Sequence, residues 1–110
     1  MSTAEDARAD PAPIFAALGD RTRLSLLMQL SDGRSRSITM LSAGSRLTRQ
    51  AVTKHLRALQ EAGLVSCARA GRESLYACCP EPLDSARTYL DRVAAQWEDA
   101  LLRLKAFVEE

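Results

Sequence analysis

The chain has 110 residues, of which 46% are hydrophobic and 26% charged, as is typical of one soluble globular domain. It holds no apolar run near the roughly 20 residues of a membrane span and no signal-peptide pattern, so we expect a cytoplasmic protein without a membrane partner. Residues 20–73 carry ten basic and four acidic side chains, and the rest of the chain carries five and ten. A basic centre predicts an anionic partner that meets that region alone.

The first half of the chain predicts short helices in close succession. Residues 1–11 are small, polar and acidic, and we expect them to form a flexible tail. Pro13 opens a helix that ends at Gly19, Asp20 is the expected N-cap of a second helix, and residues 34–36 are expected to form a loop. Ser37 is expected to cap a third, short helix. The side chains expected to face the core are Leu24, Leu27, Met28, Leu30, Met40 and Leu41.

Residues 47–65 read L-T-R-Q-A-V-T-K-H-L-R-A-L-Q-E-A-G-L-V and hold the most informative pattern of the chain. Thr48 is placed as an N-cap, and Val52, Leu56 and Leu59 recur at helical spacing, so one face of a helix is expected to be buried. The opposite face carries donors that suit phosphates and base edges, namely Arg49, Gln50, Thr53, Lys54 and Arg57. We therefore predict a DNA-recognition helix; a plain solvated face is the alternative.

Two strand-like segments, residues 65–69 and 74–78, flank a turn that Gly71 permits, so a β-hairpin is expected. Arg69 and Arg72 lie at its tip, where they are predicted to contact DNA phosphates; the alternative is that they only keep the tip soluble. A hairpin after a helix–turn–helix pair indicates a winged helix-turn-helix. The predicted fold is therefore mainly α with a small β-hairpin.

After Pro80 and Pro82, a helix of about 26 residues, about 39 Å long, is predicted to reach Val108. Its apolar residues alternate at spacings of three and four, as in a coiled coil. So long a helix exceeds what a small core needs, so we expect it to pack against a second copy, with Trp97 as the main anchor. Packing over its own domain is the alternative. The predicted dimer-interface residues are Ile14, Phe15, Leu90, Val93, Trp97, Leu101, Leu104 and Val108.

With these residues in place, the chain resembles the ArsR/SmtB family of bacterial winged-helix repressors. The resemblance rests on three segments, F-A-A-L-G-D-R-T-R-L (15–24), residues 47–65, and the wing R-A-G-R-E-S-L-Y (69–76). It implies a homodimer that binds a palindromic operator in double-stranded DNA and represses transcription until an effector releases it. Arg21 stands where the family usually has proline, which is preferred but not required at the start of a helix.

The metal sites that the family is known for are not recognisable in this sequence. The helix before the recognition helix reads S-I-T-M-L-S-A and lacks the family's C-x-C pair, and the terminal helix has no histidine. We therefore expect no metal site and no cofactor, and the small effector is unknown. His55, the single histidine, is expected to have a structural or hydrogen-bonding role rather than to contact DNA.

Three cysteines, Cys67, Cys78 and Cys79, have no C-x-x-C spacing and lie in or next to the hairpin. Cys67 is expected to pair with residue 74 or 76, so that Cys78 lies further along the strand and a disulfide between the two is not expected. The thiols could bind a soft ion such as arsenite or react with an oxidant. The alternative is that they pack as small apolar side chains.

These observations predict a dimeric, sequence-specific DNA-binding repressor and no enzyme, since no catalytic set of residues comes together. The expected divisions are residues 1–11 as the tail, 12–80 as the DNA-binding domain and 81–110 as the dimerisation helix. A thiol-sensing repressor and a dimeric protein-interaction module remain alternatives. We expect Gln50 to read adenine and Arg49 to contact guanine or phosphate. The expected phosphate contacts are Arg46, Arg57, Arg69 and Arg72.

Overall fold

Asp20, Ser37 and Thr48 each close the first turn of a helix, as the sequence predicts. In the computed structural model, which describes residues 10–109, their side chains accept hydrogen bonds from backbone N–H groups three residues further on, at 3.0, 3.2 and 3.1 Å. Residues 1–9 of the predicted tail lie outside the described part of the chain. The elements are α1 (Ala12–Leu18), α2 (Arg21–Gln29), β1 (Arg36–Ser37), α3 (Ile38–Ser42), α4 (Arg49–Glu61), β2 (Val65–Ala70), β3 (Glu73–Cys78) and α5 (Pro80–Glu109).

The core lies where α1, α2, α3, α4 and the base of the hairpin meet. Its most completely buried side chains are Val52, Leu56 and Leu59 of α4 together with Leu30, Leu41 and Leu64. These large apolar side chains are in contact with one another rather than with water, so their burial is the main stabilising term of the fold. The core therefore holds α4 by the apolar face that its sequence predicts.

Three side chains predicted to face the core are exposed instead. Leu24, Met28 and Met40 are 49%, 72% and 57% exposed, whereas Leu26, which was not predicted, is buried. The second helix has apolar residues on two adjacent faces, so helical spacing alone fits either Leu24 with Met28 or Leu26 with Leu30. Packing against α1 and α4 selects the second set.

The hairpin is part of a three-stranded antiparallel sheet with the order β1-β3-β2. The expectation that residues 34–36 form a loop is wrong at Arg36, which pairs with Tyr76 of β3. A strand of two residues has no sequence periodicity and forms only because a partner strand lies beside it. At the hairpin tip Gly71 has φ +64°, which matches a tight turn with glycine in its first central position.

The last helix, α5, has 30 residues and extends away from the core. Of its side chains in the described range, Ala86 alone is buried. The Cα radius of gyration is 18.6 Å, compared with about 13 Å for a compact chain of this length. Most of α5 therefore has no packing partner within residues 10–109 of its own chain.

Candidate nucleic-acid interface

The recognition helix α4 separates its side chains into a buried and an exposed face. Val52, Leu56 and Leu59 are fully buried, and α4 contacts α1, α2, α3 and β2. The predicted DNA-reading side chains all lie outside this buried stripe: Arg49, Gln50, Lys54 and Arg57 are exposed, and Thr53 is half-buried. Packing thus leaves a face with three cations and two polar side chains directed to solvent.

Two hydroxyl groups at the start of α4 form hydrogen bonds with the backbone of that helix. Thr48 Oγ1 accepts from the N–H of Ala51 at 3.1 Å, and Thr53 Oγ1 donates to the carbonyl of Arg49 at 2.8 Å. Because its proton is used within the helix, Thr53 presents its methyl group and its remaining lone pair. Those groups suit a thymine methyl or a base amino group.

The basic side chains of the predicted interface are available to an external anion. Within residues 10–109 the structure has ion pairs between Arg36 and Asp32, His55 and Asp20, and Lys105 and Glu109. None of these pairs uses a predicted DNA contact. The exposed cations without a carboxylate partner in this range include Arg46, Arg49, Lys54, Arg57, Arg69 and Arg72. Within the described part of the chain, no ion pair has to be broken before these groups bind phosphate.

Ile38, a residue that the sequence did not single out, borders the readout face. It begins α3 and lines an open groove together with the readout side chains of α4, which are Arg49, Gln50, Thr53, Lys54 and Arg57. The helix–turn–helix therefore contributes an apolar side chain from its first helix to a groove that is otherwise polar. The only sequence signal for this residue was its place directly after the cap Ser37.

The wing is joined to α4 at its base. Tyr76 of β3 is 7% exposed, and burial raises the pKa of its hydroxyl, as does a hydrogen bond with the paired Cys67. The positive charge of Arg57 acts in the opposite direction on the pKa of Tyr76, so Arg57 lies close to the wing. Arg69 and Arg72 are exposed at the far end of the hairpin. The wing thus continues the basic surface of α4.

All three cysteines are free. The strand register pairs Cys67 with Tyr76, one of the two partners that the sequence left open, and Cys78 with Val65. Cys67 is exposed and Cys78 and Cys79 are half-buried. Burial raises the pKa of the Cys78 thiol, and the nearby Cys79 and Glu81 raise it further, which lowers the fraction of reactive thiolate.

The predicted dimer residues fall into two groups. Leu90, Trp97, Leu101, Leu104 and Val108 are all more than half exposed along α5, and Val93 is half-buried. Phe15 is half-buried, and its ring lies 6.0 Å from that of Tyr89 on α5. Ile14 differs from them, because it is 7% exposed and packs in the core of its own chain. Its spacing along α1 could not distinguish an internal from an external partner.

Neither a metal site nor a membrane span is found in the described part of the chain. Between residues 10 and 109, no group of three or more His, Cys, Asp and Glu side chains is placed to hold a metal ion. No helix in that range is long and apolar enough to cross a membrane.

Comparison with known proteins identifies the family. A family model described as bacterial regulatory protein, arsR family, matches residues 20–66. An uncharacterised HTH-type transcriptional regulator of Bacillus subtilis (strain 168), YuzN, is 38% identical over 76 residues, which are 64% of this chain and 83% of that protein. The chain belongs to the arsR family. It is a transcriptional regulator with a winged helix-turn-helix DNA-binding domain.

Other members of the arsR family agree in sequence and in fold. The HTH-type transcriptional repressor SmtB of Mycobacterium tuberculosis (strain H37Rv) is 33% identical over 88 residues, 80% of this chain and 63% of SmtB. An ArsR-like regulator from Rhodococcus sp. RHA1 superposes with a TM-score of 0.75 at 37% identity, over 96% of each chain. These relatives are regulators, not enzymes, and their agreement with this chain confirms the predicted mainly α, winged helix-turn-helix fold.

A further solved structure in the family bears on assembly. The homodimeric winged helix-turn-helix DNA-binding domain of Mb0332 from Mycobacterium bovis superposes with a TM-score of 0.63 at 28% identity. The match covers 87% of this chain and 88% of that one. That domain is homodimeric.

Proposed function

We propose that this arsR-family protein acts as a homodimeric repressor that binds a palindromic site in double-stranded DNA. The observation that supports this most strongly is the exposed face of α4, where three cations and two polar side chains project without a carboxylate partner among residues 10–109. A helix of this kind fits the major groove, with the residues of its N-terminal half on the base edges. Repression is supported by the 33%-identical relative, a repressor by name.

Each side chain of the interface has a role that follows from its chemistry. Gln50 can contact adenine through two hydrogen bonds, and Arg49 can do the same with guanine or bind a phosphate. Thr53 can place its methyl group against a thymine methyl. Lys54 carries a positive charge at the end of a flexible side chain. Thr48 holds the helix start in place through its cap. The proposed phosphate contacts are Arg46 in the turn, Arg57 on α4, and Arg69 and Arg72 on the wing.

We propose that residues 12–80 bind DNA and residues 81–110 form the dimer. The exposed apolar side chains of α5 and the large radius of gyration support this division, because so much apolar surface is unusual on a monomer. The dimer places two copies of α4 on one side of the duplex, about one helical turn apart, which requires a site with two-fold symmetry.

The experiment that tests sequence-specific binding compares two glutamines of α4. Both Gln50 and Gln60 are exposed, but Gln50 lies in the first turn and Gln60 near the end of the helix. DNA sites are first selected from a random pool with the wild-type protein, and affinities are then measured by fluorescence anisotropy. We expect Gln50→Ala to reduce discrimination against a single-base change by about 1–3 kcal/mol, and Gln60→Ala to leave it unchanged.

The same selected site tests repression when it is placed over a promoter that drives a reporter. Wild-type protein should lower reporter output, and Gln50→Ala should relieve part of that effect. A selection that yields no preferred sequence would refute the proposal and favour a protein-interaction module with an incidental basic face.

Thiol sensing is a second candidate because Cys67 is exposed beside Tyr76, whose hydroxyl lies near Arg57 of α4. Modification of that thiol would therefore change the surroundings of a proposed phosphate contact. The test adds a mild oxidant or arsenite to the DNA titration of wild-type protein and of Cys67→Ser, Cys78→Ser and Cys79→Ser. Release of DNA that one of these serine variants prevents would support sensing, and release that persists in all three would refute it.

A further inference from the structure

The recognition helix has a polar contact on the side that does not face DNA. His55 lies where α4 faces the junction of α1 and α2, and its Nδ1 is 3.7 Å from Oδ2 of Asp20. Within residues 10–109, the side-chain hydrogen bonds of α4 stay inside the helix and its cap, at Thr48 and Thr53. The contact between His55 and Asp20 is thus the polar link from α4 to the rest of the described fold.

Asp20 is held in place by a second set of contacts. Its carboxylate accepts from the N–H of Arg23 at 3.0 Å, and the Arg23 guanidinium donates to the carbonyls of Ala17 at 2.6 Å and Ala16 at 3.3 Å. The N–H of Arg23, followed by the charges of Arg23 and His55, lowers the pKa of the Asp20 carboxyl, so it is ionised at neutral pH. The Asp20 carboxylate therefore connects α2 with α4, and the Arg23 side chain connects α2 with the end of α1.

Few other charges face His55. Of the elements packed on α4, α1 and α3 have no ionisable residue, and β2 contributes Cys67 and Arg69. The second helix supplies Arg21 and Arg23 in addition to its cap Asp20. No ionisable residue of α4 lies three or four positions from His55. Asp20 is thus the acid with which a protonated imidazole would pair.

Apolar contacts hold α4 against the core, and the 3.7 Å contact between His55 and Asp20 adds a directed polar contact from α4 to the start of α2. We propose that Asp20 and His55 form a proton-dependent latch that sets the orientation of α4 and thereby tunes DNA affinity. A histidine gains its charge between pH 8 and pH 5. When His55 is protonated the latch is closed, so DNA affinity rises as the pH falls. His55 and Asp20 act as positioning residues, and the DNA readout of the latch rests on the proposed function.

A double-mutant cycle tests the latch with four proteins: wild type, Asp20→Asn, His55→Gln, and the double variant. Asparagine caps a helix as well as aspartate does, so Asp20→Asn removes the charge and keeps the start of α2. Affinity for the selected DNA site is measured at pH 6 and pH 8 at constant ionic strength. For wild type we expect binding about threefold tighter at pH 6 than at pH 8, the size of a partly exposed ion pair, and little pH dependence in the three variants.

The chain contains one histidine, so imidazole titration has a single source in this experiment. A protonated His55 that merely attracts DNA phosphates would keep its effect in Asp20→Asn. Retention of the wild-type pH dependence by that variant would therefore overturn the latch. The expected result is that both single variants lose the pH dependence of DNA affinity and that the double variant loses no more.

Thermal unfolding of the same four proteins without DNA separates the latch from the proposed function. The expected result is a positive coupling between positions 20 and 55 at pH 6 that shrinks at pH 8. Absence of coupling at both pH values would refute the latch even if DNA binding were normal. Failure of all four proteins to bind DNA would refute the proposed function, and the unfolding data would still decide whether the contact exists.

Discussion

Asp32 and Arg36 form the shortest charged pair of the described structure, at 2.7 Å. Two guanidinium nitrogens of Arg36 donate to the two carboxylate oxygens at 2.9 and 2.7 Å, and one of them also reaches the carbonyl of Gln29 at the end of α2. The hydrogen bonds from Arg36 hold the pKa of the Asp32 carboxyl well below its usual range, assisted by the N–H of Arg34. The same pairing raises the pKa of Arg36. The pair thus joins the end of α2 to β1, beside the wing.

This pair predicts a pH-dependent contribution to stability. Because the folded-state pKa of Asp32 is depressed, its stabilising effect is fully present above the unfolded value of about 4 and is lost as the pH falls through the folded value. We expect Asp32→Asn to lower Tm at pH 7 and to converge with wild type in acid. The control is Asp99→Asn, which changes an exposed carboxylate on α5. A difference in Tm that stays constant from pH 7 to pH 3 would contradict the assignment.

The wing shows how a local sequence pattern and a distant partner combine in one element. The turn at Gly71 is a local feature, and the register pairs Ala70 with Glu73 directly beside the turn. The third strand, β1, comes from a part of the chain more than 30 positions earlier and pairs with β3 at Tyr76. That pairing, together with the burial of Tyr76, holds the wing beside α4.

The two arginines of the wing tip are expected to contribute charge and not sequence recognition. We predict that the double variant Arg69→Ala/Arg72→Ala reduces the slope of log K against log salt by about 3.6 for the bound dimer, or about 0.9 for each of the four lost phosphate contacts. Its ranking of base changes in the site should match that of wild type. Arg87→Ala/Arg92→Ala, which removes two exposed arginines of α5, serves as the control. An unchanged slope in the wing variant would show that the tip does not touch DNA.

The shape of the single chain favours a partner along α5. The overall dimensions are 68 × 38 × 21 Å, and the exposed apolar side chains of α5 follow one side of the helix, from Leu90 to Val108. Leu102 is the exception: it is 63% exposed, and it lies two positions, or about 200° of helix rotation, from Leu104, which is 58% exposed. The two leucine side chains therefore point to nearly opposite sides of the helix, although their exposed fractions are almost the same.

This difference provides a matched test of the dimer. Placing a charge in a buried interface is costly, so we predict that Leu104→Lys weakens dimerisation by about two orders of magnitude. Leu102→Lys should leave it unchanged. Sedimentation equilibrium gives the dimer dissociation constants, and DNA titrations should show that Leu104→Lys also loses affinity for a two-fold site. Equal effects of the two variants would rule out this face of α5 as the interface.

Much of the fold and of the candidate interface could be predicted because the signals are local. Each of the caps Asp20, Ser37 and Thr48 acts on an N–H three residues away, and the buried stripe of α4 repeats within two to three turns. A tight turn likewise needs a glycine only at its own position, as at Gly71. Such interactions depend on sequence neighbours, which the linear sequence already places at fixed distances.

The features that required the tertiary structure all depend on residues far apart in the chain. The pairing of Arg36 with Tyr76, the choice of Leu26 over Leu24 for the core, and the contact of His55 with Asp20 were not predicted. Each depends on how whole elements pack, since spacing along one helix or strand fits more than one partner. Local periodicity therefore determined which side chains of α4 face away from the core. The packing of the elements decided which residues of other elements contact the buried side of that helix.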